Sequence, residues 1–291
     1  MAPTAKSFIL DLLSTLRRGT MPVRAVVEAA ALFGIEENAV RVALARLLVA
    51  RQVERDARGR YRLGTGSWPV GRRVTAWRQL AARTRAWSGA WIGIHGGSGS
   101  DGRRSARRRR RAMRLLGFRS LRSELFIRPD NLRGGIESLR TELRALGLPH
   151  EDLVLEIRGF EPELERRARS LWDEVGLRAA YRESREALER SQRRLAKIPA
   201  AEAMVESFLL GGRVIRQLVL DPLLPDGIVG SGERDALVDA MRGYDRAGRA
   251  AWTAFLARHS VPHLRAPADT RMGAGAIRLA VLRTVAQGVL Q

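Results

Sequence analysis

The residues best spaced for chemical contact lie between Gly34 and Arg60. From Gly34 to Leu48, the apolar residues Val40, Ala43, Leu44, Leu47 and Leu48 recur at helical spacing and make one stripe. At about 100° per residue, Asn38, Val42, Ala45 and Val49 project to the opposite side, with Arg41 and Arg46 on the two flanks. That face suits a DNA major groove. Arg41 and Arg46 would reach the phosphate strands bordering the groove, and the Asn38 amide offers a bidentate contact to adenine. Val42 and Ala45 would pack on thymine methyls and carry no hydrogen-bond code. Arg58 and Arg60 bracket Gly59 in a following turn, which suits phosphate or minor-groove contact. The alternative is a protein-binding module whose arginines are merely solvated.

The surrounding elements position that face. Ala5 to Arg17 reads as a helix with Phe8, Ile9, Leu12, Leu13 and Leu16 on its buried side. Gly19 to Pro22 breaks it, and Pro22 suits the first turn of a second helix, Val23 to Phe33. Gly34 then turns the chain into the third. Glu36 or Glu37 stands where Ser, Asn or Asp would cap better, although the charge complements the helix dipole. The same carboxylates would repel phosphates. Gln52 to Asp56, Ala57 to Arg60 and Tyr61 to Leu63 read as strand, turn and strand. Three helices followed by a hairpin predict a winged helix-turn-helix, with the third helix in the groove. The turn-rich stretch Leu63 to Pro69 closes this domain, placed at 1–68, and 69–85 reads as a connector.

The middle of the chain has a clear order of parts. A strand spans Trp87 to Ile94, a glycine-rich loop Gly96 to Gly102, and a helix Arg103 to Leu116, with Gly117 as its cap. Strand character returns within Phe118 to Arg128, followed by a helix from Ile136 to Leu146 and a strand from Asp152 to Arg158. This order predicts a split βαβ, ferredoxin-like domain over 86–160. From 161 to 291 helical patterns dominate: Glu163 to Val175, Tyr181 to Leu195, Ala200 to Val219 and Ala236 to Ala257. A double-proline bend, Leu220 to Asp226, separates two of them, and an apolar helix from Ala276 to Leu290 would dock or swap to a partner. The expected class is α+β.

Composition bounds the function. The net charge of +21 favours a polyanionic partner, but Lys6 and Lys197 are the only lysines, so arginine bias inflates the sum. The absence of cysteine excludes disulfides, thiolate metal sites and a cysteine nucleophile. No apolar run reaches the roughly 20 residues a bilayer requires, and the start lacks a signal-peptide pattern, so a cytoplasmic location without membrane contact is expected. His259 and His263 are separated by Pro262 and no third ligand is near, so no metal is expected. Neither a GxSxG motif nor a P-loop ending is present, and no catalytic residue is assigned. The loop from Gly96 to Gly102 therefore reads as surface. Trp77, Trp87, Trp91, Trp172 and Tyr181 would be core or would line an aromatic pocket.

The densest charge is the run from Arg103 to Arg114. Arg107, Arg108, Arg110 and Arg111 would give accessory DNA or anion contact, or else form a solvated face.

Three motifs carry a family resemblance. These are Gly34-Ile35 with Ala39-Val40-Arg41-x-Ala43-Leu44-x-Arg46-Leu47; Trp87-x-Gly89-x-Trp91 followed by Leu116-Gly117-Phe118; and Val219-Leu220-Asp221-Pro222-Leu223-Leu224-Pro225. In this order they resemble the PaaX family of transcriptional regulators, repressors of phenylacetate catabolism, over roughly residues 5 to 258. The resemblance implies a Cas2-like ferredoxin fold in the middle and a homodimer that represses a catabolic operon. It implies release from the operator by an aryl-CoA or other acyl-CoA thioester, with no resident cofactor. Arg41 and Arg46 carry over by position as DNA-domain residues, whereas no motif carries over ligand contacts. Cas2 nucleases hold a metal with an aspartate at the end of their first strand, a position that falls near His95 here. A metal-dependent nuclease and a charge-driven, nonspecific nucleic-acid binder are the alternatives.

Overall fold

The computed structural model describes residues 3–16, 19–64, 77–96 and 103–261, without the side chains of 103–105, 108 and 111. The expected helix 276–290 lies outside the described residues, as do most of the connector and of the glycine-rich loop. The described chain is α+β, with two antiparallel sheets among the helices.

The N-terminal part holds α1 (Ala5–Thr15), β1 (Met21–Pro22), α2 (Val23–Ala31), α3 (Glu37–Val49), β2 (Val53–Arg55) and β3 (Arg60–Leu63). Thr4 starts α1 by accepting the Ser7 N–H on its hydroxyl at 3.2 Å. Glu36 stands at the cap of α3 without a side-chain cap bond, as its residue type foretells. Pro22 stands outside the second helix rather than in its first turn. Pro22 precedes α2, in extended conformation, and pairs with Arg60, which adds a third strand in the order β1-β3-β2. Phe8, Ile9, Leu12, Val26, Val40, Leu44 and Leu47 are buried together as the core of this part.

The central part runs β4 (Trp91–His95), α4 (Arg103–Leu115), β5 (Arg119–Arg122), β6 (Leu125–Pro129), α5 (Gly135–Ala145) and β7 (Leu153–Ile157). The sheet order is β5-β6-β4-β7, with antiparallel neighbours throughout. Ile92, Ile94 and Val154 pack with Ala112 and Met113 of α4 and with Leu139 and Leu143 of α5. Trp91 and Ile127 belong to a second cluster with Trp172, Leu224 and Ile228. The first strand starts later than Trp87, because Gly89 turns the chain at φ +85 and the Trp87 indole donates back to the Ala90 carbonyl at 2.6 Å.

Four helices complete the described chain: α6 (Pro162–Arg169), α7 (Glu174–Leu195), α8 (Ala200–Val219) and α9 (Gly232–Arg258). The single helix expected over 163–175 is instead two. The Asp173 carboxylate accepts the Gly176 N–H at 2.8 Å and starts a new helix there. Trp77 and Leu80, at the end of the expected connector, are buried in the core that α7, α8 and α9 share with the central sheet. The segment from residue 77 is thus packed against the body of the protein. Among the described residues, no helix is long and apolar enough to cross a membrane.

The bend Asp221-Pro222-Leu223 is fastened to the central sheet. Buried Arg128 donates to the Leu116 carbonyl, to Asn131 Oδ1 at 3.1 Å and to the Pro222 carbonyl at 3.3 Å. Asn131 Nδ2 donates to the Leu223 carbonyl at 2.6 Å. Gly117 lies so close that a Cβ there would meet Pro222 Cβ at 2.8 Å.

Candidate nucleic-acid interface

The apolar stripe of α3 faces inward, with Val40, Leu44 and Leu47 buried against α1 and α2. That burial fixes the rotation of the helix. Asn38, Arg41, Val42, Ala45 and Arg46 are therefore all exposed on the outer face. Val42 is 42% exposed and Val49 89%, so the outer face carries apolar as well as polar side chains. The structure brings these five sequence-selected residues together on one surface.

Their charges differ in availability. Arg46 carries no ion pair among the described residues, whereas Arg41 is held by Glu37, with Nη2 at 2.6 Å from Oε1. Both members of that pair are more than half exposed, so it is worth only about 0.3–0.5 kcal/mol and yields readily to a phosphate. Of the two carboxylates expected to repel DNA, Glu37 thus has a partner on its own helix.

The hairpin turn is organised by Asp56. Its Oδ1 accepts the N–H groups of Arg58 at 3.0 Å and Arg60 at 2.9 Å, and Gly59 takes φ +74. Arg58 is left exposed at the tip. Arg60 departs from its expected position. Its Nε donates to Thr20 Oγ1 at 2.8 Å, and its Nη2 to the carbonyls of Thr20 and Ser260 at 3.0 Å. The β1–β3 pairing, which the sequence did not reveal, turns the side chain toward Thr20. Arg55 is exposed on the same hairpin and lies 6.0 Å from the Tyr61 ring, a cation that sequence reasoning missed.

The arginine run forms α4. Arg107 and Arg110 are exposed, and Arg108 and Arg111 fall among the side chains outside the description. Arg109 turns inward and clamps buried Asp152, with Nε 2.5 Å from Oδ2 and Nη2 2.8 Å from Oδ1. Gly96 permits this approach, since a Cβ there would stand 2.2 Å from Asp152 Oδ1.

The other candidate chemistry is structural. Trp91 stacks on Trp172 at 6.1 Å and donates to Glu165 Oε2 at 2.9 Å, and both rings are buried. Tyr181 donates to Asp221 Oδ2 at 2.6 Å. Burial raises the Asp221 carboxyl above its usual range against the opposing pull of Tyr181 and Arg234. Among the described residues, no three His, Asp or Glu side chains gather as a metal ion requires. An open groove of about 630 Å³ runs beside Leu32, Val205 and Leu209, with Arg194 and Arg213 at its sides.

No family model and no curated protein matches the chain. Among solved structures, it is similar to the uncharacterized protein Rv0674 from Mycobacterium tuberculosis. The two are 28% identical, with a TM-score of 0.55 over 85% of this chain and 98% of that one.

Proposed function

We propose that the chain is a DNA-binding transcriptional repressor of the PaaX type. In this reading, residues 1–68 are a winged helix-turn-helix, 69–85 a connector, 86–160 a ferredoxin-like domain and 161–291 a mostly helical C-terminal domain. The observation that carries it is the outer face of α3, where Asn38, Arg41, Val42, Ala45 and Arg46 are exposed together beside the hairpin tip at Arg58. An exposed helix face with two flanking guanidiniums and one amide fits the major groove, and the hairpin fits the adjacent backbone. The strand order β5-β6-β4-β7 supports a ferredoxin-like middle, because the split βαβ plan places its strands in this order.

A homodimer presents two such faces to a pseudo-palindromic operator, with half-sites about one helical turn or a multiple apart. Release requires an effector that binds the DNA-incompetent arrangement more tightly, and a CoA thioester is the effector class the PaaX resemblance implies. Adding phenylacetyl-CoA to the complex with the chain's own upstream DNA tests this step. Release supports the repressor reading, and unchanged binding discards that ligand. The net charge of +21 favours a second reading, charge-driven binding without sequence preference. A metal-dependent nuclease has less support, because Arg109 already occupies the Asp152 carboxylate next to Gly96.

A further inference from the structure

The arginines of this protein are not all alike. On α7, Arg178, Arg182, Arg185, Arg190 and Arg194 each stand opposite a glutamate, so arginine bias there is matched by acid. The 13 residues of α4, Arg103 to Leu115, contain no carboxylate at all. Arg107, Arg110 and Arg114 are exposed and form no ion pair among the described residues. Their spacing of three, then four, puts them on one face over about 10 Å of helix.

Two contacts fix that face outward. Ala112 and Met113 are buried against the sheet, and Arg109 is clamped to Asp152, so α4 cannot rotate to hide the stripe. At its end, Arg119 is held below the usual arginine range by burial and by the neighbouring Arg114 charge.

We propose that the Arg107–Arg110–Arg114 face of α4 is a second, sequence-independent contact for the phosphate backbone of duplex DNA, separate from α3. A convex stripe of guanidiniums suits a repeating polyanion, whereas a single phosphorylated small molecule binds in a concavity. A membrane surface is disfavoured because the apolar residues beside these arginines, Ala112 and Met113, are buried rather than presented. The contact goes beyond the repressor reading and does not need an operator.

The test uses the full chain and a scrambled duplex titrated across salt. Replacing Arg107→Gln, Arg110→Gln and Arg114→Gln together should make the slope of log affinity against log salt shallower by about 2 to 3. Replacing Arg182→Gln, Arg185→Gln and Arg190→Gln on α7 removes the same formal charge and should leave the slope unchanged. Thermal unfolding confirms that both variants fold. An α4 variant with the wild-type slope overturns the proposal, and so do equal changes in both variants, which would report net charge alone. Loss of binding to phosphatidylserine vesicles with an unchanged DNA slope would also overturn it, in favour of a membrane contact. Failure of the repressor reading is read separately, as equal wild-type affinity for upstream and scrambled duplexes.

Discussion

Arg60 and Ser260 stand 200 positions apart, yet the Arg60 guanidinium donates to the Ser260 carbonyl at 3.0 Å. The hairpin beside α3 is thereby tied to the chain just beyond α9. Arg258 reinforces the junction by pairing with Glu28 of α2, and Trp252 and Phe255 of α9 are buried in the N-terminal core. This seam therefore joins α2 and the hairpin to the end of α9 through side-chain contacts.

Arg60→Ala removes three side-chain hydrogen bonds, two to Thr20 and one to Ser260. It should lower stability by about 1–3 kcal/mol, whereas Arg58→Ala, at the exposed tip, should stay within roughly 0.5 kcal/mol. Urea denaturation of both variants checks the difference, and equal midpoints would contradict it.

The two faces of α3 separate stability from binding. Leu44 is 2% exposed, so Leu44→Ala should cost about 2–5 kcal/mol through its cavity. Val42→Ala on the outer face should cost no more than about 0.5 kcal/mol while altering DNA affinity. Thermal unfolding and a DNA titration on the same two variants give both readouts.

Arg128→Met should be more damaging than its conservative volume suggests. The guanidinium satisfies the carbonyls of Leu116, Pro129 and Pro222 as well as Asn131, all at the junction of sheet and bend. Leaving these acceptors unpaired should cost about 3–5 kcal/mol, measured as a fall in the denaturation midpoint.

Asp11 on α1 supplies the pH dependence. Burial raises its carboxyl from 3.8 to about 6, against the pull of Arg216 on α8. Between those values the folded chain holds a proton that the unfolded chain has released, so this group's contribution falls as pH rises. Asp11→Asn should remove that decline and raise stability above pH 7 by about 2 kcal/mol, a figure reduced for residual solvent contact. Midpoints measured at pH 4.5, 6 and 7.5 test it, and a variant less stable than wild type at pH 7.5 would refute the assignment.

What the sequence revealed follows from periodicity. The outward set on α3 was legible because Val40, Leu44 and Leu47 leave only one way to bury the helix. Ala200–Val219 was legible to the residue because Pro199 marks its start and Pro222 follows its end. The position of Arg60 was not legible, since two-residue β1 has no pattern of its own and its pairing is nonlocal. The break at Asp173 was missed because Trp172 and Val175 extend a helical pattern across it, although an aspartate three residues before Gly176 was a readable cap signal. Arg128 and Arg109 look like any other arginine in a chain rich in them, and only the fold shows that each is enclosed by acceptors.

The most direct test of the central claim is competition between the chain's own upstream duplex and a scrambled duplex of equal length, near physiological salt. A specific repressor predicts a preference of about 1,000-fold or more, which Asn38→Ala should reduce, whereas Arg46→Ala, a phosphate contact, should weaken binding to both duplexes about equally. Equal affinity for the two duplexes would contradict the account and leave only charge-driven binding.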